Sequence, residues 1–150
     1  MVLAYSYDAA RPDPELDALR QEMGTARARF LEVADTDARS YELVRAARRA
    51  RKAAPGDPTA ETGYVSALRG AAEVPLGTAR LAARLSDRLR DVQARTKAAL
   101  TSDLVTARAL FEAATRGALA NVEINLVDLK AVGAPTEEMQ REVARLRAPP

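Results

Sequence analysis

"LDALRQEMGTARARFLEVADTDARSYELV", residues 16–44, places apolar or small residues at Leu16, Leu19, Met23, Ala26, Phe30 and Val33, then at Tyr41 and Val44. The steps are three and four residues, with one gap filled by Asp37. A recurrence of this length marks one buried stripe on a long helix. Asp13 stands ready as its N-cap with Pro14 at the first helical position. The stripe runs to about Ala54, where "APGDP" stops it. The first expected element is therefore a helix over 13–54.

The rest of the chain follows the same pattern. Asp57 and Pro58 start a second helix through Val65 and Leu68. Pro75 is expected to interrupt it, because proline removes an intrahelical hydrogen bond. A third helix then carries Leu76, Ala79, Leu81, Leu85, Leu89 and Val92. A link over roughly 94–101 leads to a second long helix, 102–132, which Gly133 and Pro135 end. Thr136 is expected to cap a last short helix that ends near Arg147. Strand-type alternation, Asn-Gly turns and Gly-rich phosphate loops are all missing from the sequence. The expected fold is an all-α bundle of about five helices, two of them long, in one domain over 1–150.

Composition narrows the chemistry. The chain has 150 residues, 47% apolar and 29% charged, with 4% aromatic and no tryptophan. Alanine and leucine must do most of the packing. No apolar run reaches the ~18 residues that a membrane span requires, and "MVLAYSYDAA" lacks the features of a signal peptide. No membrane association and a cytoplasmic location are the expectations. Cysteine and histidine are both absent. That excludes disulfides, thiol nucleophiles, the Ser-His-Asp triad and the usual zinc sites, so no metal is expected. Acid–base chemistry falls to Asp, Glu, Lys or Tyr. The net charge of +2 is small, and no aromatic residues interleave with the bases of "RAARRARK" (45–52). Nucleic acid is therefore not an expected partner. Arg45, Arg48, Arg49 and Lys52 read as a solvated helix end or as an anion site.

Two oddities remain. Asp37 sits where the stripe of the first helix expects an apolar side chain. On the second long helix, Asp103 and Asn121 are five whole turns apart and share one direction, with Asn125 close to it. The stripe between them passes through Ala107, Leu110, Ala114 and Gly117 and looks buried. A buried polar group without a partner costs about 1–3 kcal/mol, so these three need partners in protein, water or ligand. A helix-start acid for Asp103, interhelical hydrogen bonds for the asparagines and a solvent-facing Asp37 are the plainer readings. Eighteen residues of helix span roughly 27 Å. Asp103 and Asn121 of one chain cannot touch one small ligand, so a shared site needs two chains.

"EVPLGTARLA" (73–82), "TSDLVTARALFEAATRGALANVEINL" (101–126) and "VADTDARSYELV" (33–44) together resemble the cyclodeaminase/cyclohydrolase family of folate enzymes. This is the C-terminal domain of formiminotransferase-cyclodeaminase and its free-standing bacterial relatives. The paired asparagines of N-V-x-I-N belong to the most specific part of that likeness. The family opens with a Gly-rich loop and a small-residue apolar helix. "MVLAYS" reads as the end of that helix, so an N-terminally incomplete domain is expected. The resemblance implies an all-helical homodimer that holds folate at the subunit interface. It implies loss of ammonia from formiminotetrahydrofolate or hydrolytic opening of methenyltetrahydrofolate, with a tetrahydrofolate derivative as substrate and no bound prosthetic group. A buried carboxylate would stabilise the cationic amidinium carbon and accept a proton. Asp103 is the first choice for that carboxylate and Asp37 the second. Ser102, Asn121, Asn125 and Tyr41 are the candidate substrate-binding residues, and arginines would suit the glutamate tail. The alternative is a non-catalytic dimeric helical protein derived from that family.

Overall fold

A computed structural model describes residues 13–148. The opening "MVLAYS", expected to end a further helix, lies outside the described residues. Within them the chain forms four α-helices and no strand: α1 (Pro14–Ala53), α2 (Pro58–Asp91), α3 (Thr101–Ala131) and α4 (Glu137–Arg147). Two 3₁₀ turns, Gln93–Arg95 and Ala98–Leu100, occupy the expected link.

The helix starts follow their sequence signals. The Asp13 carboxylate accepts from the backbone N–H groups of Glu15 and Leu16, and Pro14 opens α1. Asp57 does the same for Thr59 at the start of α2, ahead of Pro58. These caps satisfy donors that a helix start leaves free. Gly56 and Gly133 take left-handed φ values of 81° and 71° and turn the chain after α1 and α3, a conformation that glycine adopts without steric cost. Thr136 caps α4 without a side-chain bond; its own N–H instead donates to the Glu137 carboxylate.

Pro75 does not break the chain into two helices. α2 runs unbroken through it, and Pro75 is buried. A proline in a helix leaves the carbonyl four residues earlier without its usual donor. Here that carbonyl belongs to Ala71, and the side-chain amide of Asn125 on α3 donates to it at 3.3 Å. The interhelical bond replaces the missing intrahelical one, so the helix continues.

α2 is the central element and packs along both α1 and α3. The core comes in two parts. One joins Leu16 and Leu19 of α1, Leu89 at the end of α2, the following Val92, and Leu104 of α3, with Met23, Ala107 and Phe111 at its border. The other joins Val44 of α1, Leu68, Ala72, Leu76 and Ala79 of α2, Leu119, Val122 and Leu129 of α3, and Met139 and Val143 of α4. α4 is tied down by Arg80, which forms a bidentate ion pair with Glu142 and also reaches Glu73 at 3.0 Å. At its end, Arg147 pairs with Glu123 of α3 at 2.9 Å.

The stripe of α3 that looked buried in sequence is largely open in the single chain. Leu104, Thr115, Ala118, Leu119, Val122, Leu126 and Leu129 make the buried face. Leu110 is 66% exposed, and Ala114 and Gly117 are exposed as well. α2 occupies only one side of α3, and the Asp103–Asn121 direction lies beyond the edge of that contact. The exposed surface of α3 divides in two. Glu112, Arg116, Glu123 and Lys130 lie on one side; Leu110, Ala113, Ala114, Gly117, Ala120 and Ile124 lie on the other.

Candidate functional site

α1 and α3 run in the same direction, both antiparallel to α2, and contacts between them bracket an interval. At the lower end the rings of Phe30 and Phe111 meet with centroids 6.3 Å apart. At the upper end Arg48 pairs with Asp128 at 3.8 Å. Between these points α1 buries little. Val33 and Ser40 are half-buried, while Asp37 and Tyr41 are exposed, although all four lie on or near the helix side that buries Leu19, Ala26 and Val44. The gap in the sequence stripe is thus a gap in the packing.

Helical rise gives the heights of the candidate residues. Asp37 is seven residues beyond Phe30, about 10 Å along α1; Tyr41 is about 16 Å along. On α3, Asn121 is ten residues beyond Phe111, about 15 Å, and Asn125 about 21 Å. Tyr41 and Asn121 therefore stand at one level, with Asp37 about one turn below and Asn125 about one turn above. The fold groups these four by height between the same two contacts.

Asp37 forms no ion pair among the described residues, and its backbone carbonyl accepts from the Ser40 hydroxyl at 2.7 Å. The carboxylate is not held by any cation among the described residues, which leaves its accepting capacity for something else. Tyr41 is 62% exposed, with the Arg45 guanidinium 5.9 Å from its ring centre. Asn121 is exposed, and its backbone carbonyl accepts from the Asn125 amide at 3.0 Å. Asn125 is half-buried, and its amide nitrogen serves both Asn121 and Ala71.

Ser102 and Asp103 lie elsewhere. Both are exposed in the first turn of α3, beside the lower core. Asp103 is eight residues before Phe111, about 12 Å below it. The Ser102 carbonyl accepts from the Thr106 hydroxyl at 2.9 Å. Within one chain this pair does not reach the Asp37 level. The expected burial of Asp37 and Asp103 is not found in the single chain; both carboxylates face solvent.

The basic run at the end of α1 is mostly engaged. Arg48 donates to the Tyr64 hydroxyl, Arg51 pairs with Glu61 at 2.8 Å, and Arg45 pairs with Glu42. The Tyr64 contact is the main cause that raises the Arg48 pKa above its ordinary value. Sequence reasoning missed Phe30, Phe111 and Asp128 as the residues that bracket the opening. It also missed the bond between Asn125 and the carbonyl freed by Pro75. One signal was present: the steps from Leu68 through Ala72, Pro75, Ala79 and Ala82 to Ser86 keep one helical phase across the proline.

No group of three or more acidic residues able to hold a metal ion occurs among the described residues. No helix in them is long and apolar enough to cross a membrane. No curated protein and no solved structure matches the chain. The family model described as Formiminotransferase-cyclodeaminase matches residues 1–145, nearly the full length. The four-helix arrangement and the S-D-L and N-V-x-I-N stretches of α3 thus sit in a chain that belongs to the formiminotransferase-cyclodeaminase family, in its C-terminal, folate-related domain.

Proposed function

We propose that this protein is a one-carbon folate enzyme that acts on the carbon carried at N5 of a tetrahydrofolate, as a formiminotetrahydrofolate cyclodeaminase. The carrying observation is Asp37, a carboxylate without an ion-pair partner among the described residues, exposed on the packing side of α1 between the Phe30–Phe111 and Arg48–Asp128 contacts. In the reaction N10 attacks the carbon of the protonated formimino group, the N10 proton passes to the former imino nitrogen, and ammonia departs as the ring closes. The product is the methenyl cation. A carboxylate beside that carbon relays the N10 proton to the departing nitrogen and, anionic again, offsets the positive charge. Hydrolysis of the methenyl form is the related reaction, with water attacking the same carbon.

The proposal includes a homodimer. The small, apolar side of α3 lets two helices approach closely. A twofold axis at the height of Glu112, midway between Asp103 and Asn121, and passing on the opposite side beside Ala114, sets two α3 helices antiparallel. Asp103 of each chain then approaches the Asn121 level of its mate, where Asp37 and Tyr41 also stand. Two carboxylates from different chains would flank the reacting carbon.

The test uses the purified protein with formiminotetrahydrofolate, following ammonia release and the absorbance of the methenyl product. Asp37→Asn should lower turnover by about 10²-fold or more. It should leave the unfolding midpoint unchanged, since the side chain is exposed and has no ion-pair partner among the described residues. No turnover of either folate by wild-type protein would leave the non-catalytic dimer as the better reading.

A further inference from the structure

We infer that Asn125 is a ligand-binding residue with one fixed polarity: it offers a ligand a hydrogen-bond acceptor and no donor, and Pro75, as the positioning residue, enforces this. The inference rests on the folate reading for its ligand and on the helix geometry alone for its mechanism.

The amide has two N–H donors and one carbonyl acceptor. Both groups facing its nitrogen are backbone carbonyls, Ala71 at 3.3 Å and Asn121 at 3.0 Å. Neither carbonyl can accept from an amide oxygen, so the orientation of the side chain follows from its neighbours. Both N–H donors are thereby used. The Asn121 carbonyl is available to Asn125 in any case, one turn earlier in the same helix. The Ala71 carbonyl is available for a different reason. It lacks an intrahelical donor because residue 75 is proline. The proline on α2 therefore sets the amide of a residue 50 positions away.

The oxygen is the remaining group. It makes no hydrogen bond among the described residues, and it is not among the buried polar atoms left without partners there, so solvent reaches it. It stands about one turn above Asn121, within the interval that holds Asp37 and Tyr41. A fixed acceptor at this height selects ligands that present an N–H, such as the amino group or a ring N–H of a pterin. It disfavours a ligand carbonyl in the same place, which would face oxygen with oxygen. A free asparagine would accept either, by rotating its amide.

Pro75→Ala separates this from a purely structural role. Alanine restores a backbone N–H to Ala71 and removes the reason for the amide to stay. The variant should unfold at an equal or higher urea midpoint. It should nevertheless bind 5-formyltetrahydrofolate about 3- to 10-fold more weakly, the scale of one hydrogen bond. Asn125→Leu should lower the midpoint in wild-type protein and lower it less in the Pro75→Ala background. Equal losses in the two backgrounds would overturn the link between Pro75 and Asn125. Coupled losses with unchanged affinity in Pro75→Ala would overturn the acceptor role. Wild-type protein that fails to bind the probe would remove the folate reading and the acceptor role together, while the stability cycle would still report on the Pro75–Asn125 link.

Discussion

Phe30 of α1 and Phe111 of α3 lie with ring centroids 6.3 Å apart and planes inclined by 31°. Both are half-buried. They stand where the lower core ends and the opening between α1 and α3 begins. An aromatic pair in this tilted geometry contributes about 0.5–1.5 kcal/mol beyond its area. Phe111→Ala should cost about 2 kcal/mol, less than a fully buried phenylalanine because half the ring is exposed. Urea denaturation would measure it. The lower limit of the proposed site would also loosen, so KM for the folate should rise more than kcat falls. A variant with wild-type stability and kinetics would mean that the ring contact does not shape the opening.

The ion pair that fastens α4 carries its own pH signature. The hydrogen bond from Arg80 holds the Glu142 carboxyl below its ordinary value near 4.5, against a smaller opposing effect of burial. A depressed folded pKa contributes stability above the unfolded value and loses it as pH falls through the folded one. Arg80 is 43% exposed, so solvent screening limits the contribution to about 1 kcal/mol or less. Glu142→Gln should therefore be less stable than wild type at neutral pH. The two should converge as pH drops below about 4.5. Thermal melts across that range would show a constant difference if the pair contributes nothing specific.

These relationships separate what the chain order discloses from what it conceals. Asp13-Pro14 and Asp57-Pro58 mark helix starts because a cap acts on backbone only two or three residues away. The spacing from Leu16 to Val44 reveals α1 because a helix presents its packing face at fixed intervals. Pro75 misleads for the opposite reason. Its local effect is to break a helix, and the compensating donor is Asn125, far away in sequence. The stripe from Asp103 to Asn121 misleads differently. Small residues in phase announce that a face meets something, without saying whether the partner is α2 or another molecule. Asp37 was visible as an exception to a pattern, but only the Phe30–Phe111 and Arg48–Asp128 contacts locate it in an opening.

The proposed two-chain site makes a prediction that no single-chain site shares. Asp37 and Asp103 are separated by about 20 Å of helical rise within one chain, given their heights relative to Phe30 and Phe111. If the working site joins Asp37 of one subunit to Asp103 of its mate, Asp37→Asn and Asp103→Asn proteins should each be inactive. A mixed dimer of the two has one site with both substitutions and one site with neither. Random exchange makes half the dimers mixed, each with one of its two sites intact. Mixing the inactive variants should then restore about one quarter of the wild-type rate. The restoration should follow subunit exchange in time. It should vanish when both variants also carry Ala114→Arg, because a guanidinium placed in the close contact between α3 helices is buried without a partner. Sedimentation would show that the two double variants have become monomeric. Two inactive variants that stay inactive after complete exchange would place both carboxylates in separate roles and remove the composite site.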